Sequence, residues 1–213
     1  MKAVIFDMDG LIFDTEIIWK KALESANIRF NLSLNDKYRE SIVGKSELLI
    51  RKELKEIYPN LDIDSYRNFI IGFVNSEIER GNYNIKPYFL ELVDYLKKNN
   101  YKIALATSST KERALKLFNK KNIDINIFDS FVFSDDVGDK GKPNPYIFEC
   151  AAKKLAVEPF NCYVIEDSTN GLTAAINGNF IPIMVIDLIK PNDYLKKNVK
   201  YIFNSLEEVK KIL

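Results

Sequence analysis

The sequence predicts a doubly wound α/β fold: a mostly parallel sheet, covered by helices on both faces, with a helical bundle inserted after the first strand. Three observations predict it. Short apolar runs rich in β-branched residues recur along the chain, each ending at polar residues. Helical patterns with start signals lie between them, as strand–crossover–strand units with right-handed connections require. From about residue 16 to 83 the strand–helix rhythm stops and only helical periodicity remains.

The strands expected are Ala3–Phe6, Ile103–Ala106, Ser130–Phe133 and Tyr163–Ile165, with Ile181–Ile186 as a fifth. Runs apolar on both faces suit a parallel sheet with helices on each side. Trp19, Ala22, Leu23 and Ala26 begin the inserted helical pattern. Leu49, Leu54 and Ile57 continue it, followed by Phe69, Phe73, Val74 and Ile78. An insert of that size should form its own bundle, bounded near Thr15–Glu16 and Asn82–Pro87, where turn-forming residues gather. The division expected is a core of 1–15 and 84–213 and a helical cap of 16–83. In the second half, Ser109-Thr110-Lys111-Glu112 reads as a capping-box start for a helix carrying Ala114, Leu117 and Phe118. Asn144-Pro145 supplies an N-cap and a first-turn proline. Leu172, Ala174, Ala175 and Ile176 make a small-residue helix face. Ser205–Leu213 reads as a last helix with a Ser205–Glu208 capping box.

Composition narrows the function. The 213 residues carry a formal net charge of +1 from interspersed Lys and Glu, so no long-range field recruits nucleic acid or acidic membranes. No apolar run reaches the eighteen or so residues of a membrane span, and the apolar start of the chain is too short for a signal peptide. Cys150 and Cys162 have no metal-ligand spacing and sit in apolar surroundings, as buried free thiols do, so the expected setting is a cytoplasmic monomer. The chain has no histidine. That removes Ser-His-Asp triads, Cys-His dyads and His-ligated zinc, leaving acid–base work to carboxylates, Lys, Tyr or Cys.

Open α/β sheets bind ligands at the carboxyl ends of their strands, and there the chemistry gathers. The first strand ends in Asp7-Met8-Asp9-Gly10 and the second in Thr107-Ser108-Ser109. Lys142 follows the third, and the fourth ends in Glu166-Asp167-Ser168. Carboxylates crowded together cannot all ionise without a cation. Magnesium fits: it takes oxygen from one or two carboxylates and completes its octahedron with water and a substrate phosphate. Lys142 and the Thr107 hydroxyl suit the other phosphate oxygens, and a carboxylate at Asp7 is a nucleophile of the aspartyl-phosphate kind. Asp9 is placed to protonate a leaving alkoxide and later to take a proton from water. Each signal alone reads as a turn, a cap or a structural Lys-Pro; their joint occurrence at successive strand ends carries the reading.

The chain resembles the haloacid dehalogenase-like (HAD) superfamily, in the subfamily with a helical cap after the first strand that holds β-phosphoglucomutase-like and sugar-phosphatase-like enzymes. The resemblance rests on Val4–Gly10, Asp14-Thr15-Glu16, Leu105–Ser109, Gly141–Phe148 and Glu166–Ala175. It implies a Rossmann-like core, Mg²⁺ as cofactor and a small phosphate ester as substrate. Asp7 resembles the nucleophile and a metal ligand, and Asp9 the acid–base whose backbone carbonyl also meets the metal. Thr107, Ser108 and Lys142 resemble the phosphate-binding groups, Ser108 through its backbone N–H. Glu166 and Asp167 resemble the acidic pair that reaches the ion directly or through water. Pro87-Tyr88 departs from the family's frequent Pro-Gly, and Asn177-Gly178-Asn179 from its Ala-Gly helix end.

The cap bears on phosphatase against mutase. Mutases of the subfamily carry a His where this chain has Trp19, and an Arg after Gly-x-Ser where it has Glu47. A carboxylate there would repel a second phosphate by about 4 kcal/mol at ~4 Å and an effective dielectric near ~20. The expected activity is therefore phosphatase, with a β-phosphoglucomutase-like phosphomutase as the alternative. Lys45, Trp19, Arg51 and Arg67 are candidates for reading the leaving group. A dehalogenase would lack the second Asp and need no metal. A receiver-like phospho-accepting module would be near ~120 residues without an insertion. Neither fits as well.

Overall fold

The computed structural model describes residues 2–213. In chain order its elements are β1 (Ala3–Phe6), α1 (Glu16–Phe30), α2 (Asp36–Ile42), α3 (Glu47–Ile57), α4 (Ile63–Arg80), α5 (Phe89–Lys98), β2 (Lys102–Ala106), α6 (Lys111–Lys120) and β3 (Ser130–Val132). There follow α7 (Ser134–Val137), α8 (Tyr146–Leu155), β4 (Cys162–Glu166), α9 (Thr169–Asn177), β5 (Ile181–Val185), α10 (Asp193–Asn198), β6 (Tyr201–Phe203) and α11 (Leu206–Val209). The six strands form one parallel sheet in the order β3-β2-β1-β4-β5-β6. The order reverses between β1 and β4, which opens the crevice where doubly wound sheets bind ligands.

Alternation along β1 explains the two layers of helices, because successive side chains leave opposite faces of a strand. Val4 and Phe6 pack with Phe89, Leu92 and Val93 of α5, Leu117 and Phe118 of α6, and Leu206 and Val209 of α11. Ala3 and Ile5 join Ile147, Phe148 and Ala151 of α8 and Ala174 and Ala175 of α9. Edge-to-face contacts among Phe6, Phe89, Phe118 and Phe128, and of Phe13 on Phe118 and Tyr83, carry the first cluster toward the insertion.

Helices α1–α4 lie between two adjacent crossings of the chain. Asp14 N–H donates to Asn84 O at 3.1 Å and Lys86 N–H to Ile12 O at 2.8 Å, around a bridge between Phe13 and Ile85. Beyond them, Tyr88 takes a left-handed backbone at φ 66°, which Gly would adopt without strain. The end of α9 is closed by Asn179 at φ 58°, as the αL tolerance of Asn predicts.

Local details differ from the sequence reading. Helix α6 is capped by Thr110, whose hydroxyl accepts from Arg113 N at 3.3 Å, so no Ser109–Glu112 box forms. Ser109 is turned to Asp9 instead. The last helix is one turn, Leu206–Val209, and Glu208 accepts from Asn204 N rather than closing a box on Ser205. Strand β6 and helix α5 were not anticipated, and Cys150 is half-buried while Cys162 is fully buried. No helix among the described residues is long and apolar enough to cross a membrane.

Candidate active site

The side chains singled out at the strand ends stand together at the carboxyl edge of the sheet. Asp7 and Asp9 follow β1, Thr107 and Ser108 follow β2, Glu166 ends β4 and Asp167 follows it. Lys142 comes from the loop before α8 and is fully buried. Its Nζ donates to Asp7 Oδ1 at 2.5 Å, Glu166 Oε1 at 2.7 Å and Ala106 O at 3.3 Å, with the Phe148 ring 5.0 Å away. One ammonium thus joins the ends of β1, β2 and β4.

The acidic pair divides its tasks. Glu166 Oε1 is taken by Lys142, and Oε2 accepts from Asp167 N, Ser168 N and the Ser168 hydroxyl at 3.1, 2.9 and 2.9 Å. Asp167 Oδ1 is buried without any partner. Oxygen atoms of Asp7, Glu166 and Asp167 lie within 4.8 Å of one another. Lys142 reaches two of the three buried carboxylates, and the orphaned Asp167 oxygen suits a hard cation, since buried charges are otherwise paired. Burial, with Glu166 and Asp9 nearby, pushes the Asp7 carboxyl up to about 7 despite Lys142. Burial and the charges of Glu166 and Asp7 hold the Asp167 carboxyl well above the usual carboxylate range. The donor set, hard oxygens from acids on two strands, fits magnesium.

Two glycines make room for this cluster. A Cβ on Gly10, whose φ is +78°, would lie 2.1 Å from Asp167 Oδ2. One on Gly171 would lie 1.7 Å from Glu166 Oε1. Neither position admits a side chain while the carboxylates stay where they are.

Asp9 is surrounded by groups that the sequence reading passed over. Arg113 grips it with Nη1 on Oδ2 and Nη2 on Oδ1, both at 2.7 Å. The Ser109 hydroxyl donates to Oδ2 at 2.8 Å and Thr15 donates to Oδ1. Burial alone would raise the Asp9 carboxyl, but the Arg113 guanidinium and the two hydroxyls hold it below the usual range. Glu16 has no such partner, and burial beside Asp9 and Asp187 pushes it up to about 8. Position was the available signal for Arg113: it lies in the first turn of α6, and helix side chains lean toward the N-terminus.

Above these residues lies a cavity of about 360 Å³ between the sheet edge and helices α1–α4. Its floor includes Asp7, Asp9, Thr107, Ser108 and Asp167, and its upper wall includes Trp19, Arg39, Lys45, Glu47 and Arg67. Ser108 reaches the insertion through its hydroxyl, which donates to Gly44 O at 2.6 Å. Glu47 does not present a bare negative charge, contrary to the expectation that it repels an anion. The buried Arg67 binds its two oxygens at 3.0 and 2.6 Å, and Arg51 adds a contact at 2.9 Å. Arg51 also pairs with Asp64 at 2.6 Å and is absent from the cavity wall, so it is no reader of a leaving group there.

Comparison with known proteins places this arrangement among relatives. The family model of the haloacid dehalogenase-like hydrolases matches residues 1–179. The chain is 33% identical over 182 residues to the phosphorylated carbohydrates phosphatase of Thermotoga maritima, covering 82% of this chain and 80% of that protein. It is also 33% identical over 189 residues to the β-phosphoglucomutase of Bacillus subtilis, covering 82% and 78%. Among solved structures, β-phosphoglucomutase from Clostridium difficile has a TM-score of 0.81 at 26% identity, covering 99% of this chain and 96% of that one. A hydrolase from Pseudomonas syringae shares the fold with a TM-score of 0.85 at 24% identity, over 100% and 99% of the two chains.

Proposed function

Because the chain belongs to the haloacid dehalogenase-like hydrolases, and is a phosphatase-type enzyme of that family, we propose that it hydrolyses a small phosphate monoester, such as a sugar phosphate, with Mg²⁺. The observation that carries this reading is the joint seat of Asp7, Lys142, Glu166 and the unpartnered Asp167 at the switch point of the sheet. Residues 1–15 and 84–213 serve as the core and 16–83 as the cap. The paired crossings at Ile12–Asp14 and Asn84–Lys86 support that division.

In the proposed reaction the Asp7 carboxylate attacks phosphorus and the bond to the leaving oxygen breaks. Asp9, which takes up a proton from solvent once a hydroxyl donor releases it, passes that proton to the leaving oxygen. Water then attacks the phosphorus of the aspartyl-phosphate, its proton passes to Asp9, and the Asp7–phosphorus link breaks. Lys142, Thr107 and the Ser108 N–H hold the equatorial oxygens, where charge spreads in the transition state. Asp7 and Asp167 would hold the ion directly, with the Asp9 carbonyl. Glu166, whose oxygens are committed, orients Lys142 and would support the ion's site from behind. When bound, Mg²⁺ supplies charge neutralisation between the carboxylates and the phosphate.

A phosphomutase is the second reading, and Arg39 favours it. This cavity-lining Arg is buried, its Nη1 has no partner, and its Nε reaches Asp36 at 3.4 Å. A distal phosphate would answer that guanidinium, and Glu47 no longer opposes it. Against this stand the internal pairing of Lys45 with Glu53 at 2.6 Å and of Arg67 with Glu47. The test is to incubate the enzyme with Mg²⁺, hexose 1-phosphates and a trace of sugar bisphosphate, following free phosphate and hexose 6-phosphate. Net phosphate release, abolished by chelator and not stimulated by bisphosphate, is expected. Conversion to 6-phosphate outpacing phosphate release promotes the mutase; full activity in excess chelator removes the magnesium reading.

A further inference from the structure

Asp9 is held by more donors than a carboxylate in a turn needs. Two nitrogens of Arg113, the Ser109 hydroxyl and the Thr15 hydroxyl meet its two oxygens. The four donors fill the lone-pair sites of an ionised carboxylate. They are not equivalent. A hydroxyl turns about one bond and can release its acceptor, whereas the guanidinium is a planar fork whose two parallel bonds fix the plane of the carboxylate. The far side of the fork is defined as well. The Arg113 guanidinium carbon lies 5.2 Å from the ring centroid of Trp19, on α1, within the range of a cation–π contact. Its Nε is buried without a partner, and among the described residues Asp9, Ser109 and Trp19 make the direct contacts that keep the head group in place.

We propose that Arg113 is the positioning residue for Asp9 and that Trp19 completes its seat, so that the helical insertion and the sheet edge set the acid–base group's orientation together. The inference deepens the proposed phosphatase reaction and rests on it. Asp9 must aim one oxygen at the leaving oxygen and then at water. With the fork in place, release of Ser109 or Thr15 frees a lone pair without freeing the carboxylate plane. Trp19 comes from the insertion and Arg113 from α6, so withdrawal of the insertion would remove one wall of the seat. Arg113 acts through Asp9, which separates its effect from binding.

The experiment uses the full chain with Mg²⁺ and compares Arg113→Met and Arg113→Lys on glycerol phosphate and 4-nitrophenyl phosphate. The alkoxide leaving group needs a proton and the nitrophenolate does not. For Arg113→Met we expect kcat on the alkyl ester to fall about ten- to a hundredfold with KM within about threefold. The first, single-turnover release of nitrophenolate from the aryl ester should slow less than about threefold, because only the later attack of water on that substrate uses Asp9. Arg113→Lys, which keeps the charge but not the fork, should recover part of the alkyl rate. Equal slowing of the first phosphoryl-transfer step on both esters, a loss confined to KM, or no loss overturns the proposal. Trp19 is the chain's one tryptophan, so its emission and near-UV dichroism read the seat without turnover. Both should shift in Arg113→Met and in Asp9→Asn, and unchanged spectra in both overturn the coupling to the insertion. A wild-type enzyme that hydrolyses neither ester would instead defeat the phosphatase reading, and the spectra would still decide the seat.

Discussion

Replacing Lys142 by Met tests whether one buried ammonium holds the acidic cluster together. The side chain is fully buried, with Nζ 2.5 Å from Asp7 Oδ1 and 2.7 Å from Glu166 Oε1. Met is close to Lys in length and volume and can keep the packing on Phe148, so the cavity contribution is small. What is lost is charge. Removing one member of a buried ion pair costs about 3–5 kcal/mol, because its partners stay behind uncompensated. At about 2–4 °C per kcal/mol for a chain of this size, Tm should fall by about 6–20 °C at pH 8 without metal. The deficit should shrink at pH 5.5. Asp7, already pushed up to about 7, then carries its proton and needs no counter-charge. Magnesium should also narrow the deficit by taking over the neutralisation. Turnover does not recover with it: losing a preorganised charged donor to the phosphoryl oxygens costs about a hundred- to a thousandfold in kcat. The assay is thermal unfolding at both pH values with and without Mg²⁺, alongside phosphate release. A Tm within about 2 °C of wild type under every condition would refute the neutralisation argument, and kcat within about tenfold would refute the phosphate-binding role.

Three further outcomes follow from the same geometry. Asp7→Asn should lower steady-state hydrolysis by at least about a thousandfold while leaving Tm equal or higher, since it removes one charge from a crowded cluster; turnover within about tenfold of wild type sinks the nucleophile. Asp7 and Asp167 have folded pKa values above their unfolded ones, so the metal-free fold keeps protons that the unfolded chain loses. Stability from these groups is full below about 4 and falls as pH rises above it, the Asp7 share being lost by about 7, at up to about 1.4 kcal/mol per group per pH unit. The Tm gain on adding Mg²⁺ should therefore be larger at pH 8 than at pH 5.5, and an equal gain speaks against binding at these carboxylates. Gly171→Ala should destabilise by about 1–3 kcal/mol and lower kcat, because its Cβ would displace Glu166. Helix propensity alone predicts a gain of about 1 kcal/mol, so chemical denaturation gives the sign that decides between them.

The sequence by itself determined most of the scaffold. Strands β1, β2 and β4 were the most legible because each is a short run buried on both faces, where residue type has little freedom. The ends of β1, β2 and β4 were legible as a site for the opposite reason: Asp7, Thr107, Glu166 and Asp167 interrupt apolar runs where a fold without chemistry gains nothing from charge. The helical insertion announced itself by its change of period. Strand β6 escaped because its three residues are only half-buried and pair along β5 alone, so the edge of the sheet rather than local pattern makes them a strand.

Only the tertiary structure decided which charges neutralise which. Arg113 meets Asp9 across 104 positions and Lys142 meets Asp7 across 135. Arg67 meets Glu47 from a different helix. Nothing in local periodicity encodes such partners, because an exposed Arg and a buried one obey the same helical pattern. The same holds for Glu47, whose sign was legible and whose compensation was not, and for Glu166 and Asp167, adjacent in sequence yet one saturated and the other orphaned. Side-chain type and strand position bring reactive groups to one edge; Coulomb energy and hydrogen-bond satisfaction, which depend on distances of a few ångströms between remote segments, assign their roles.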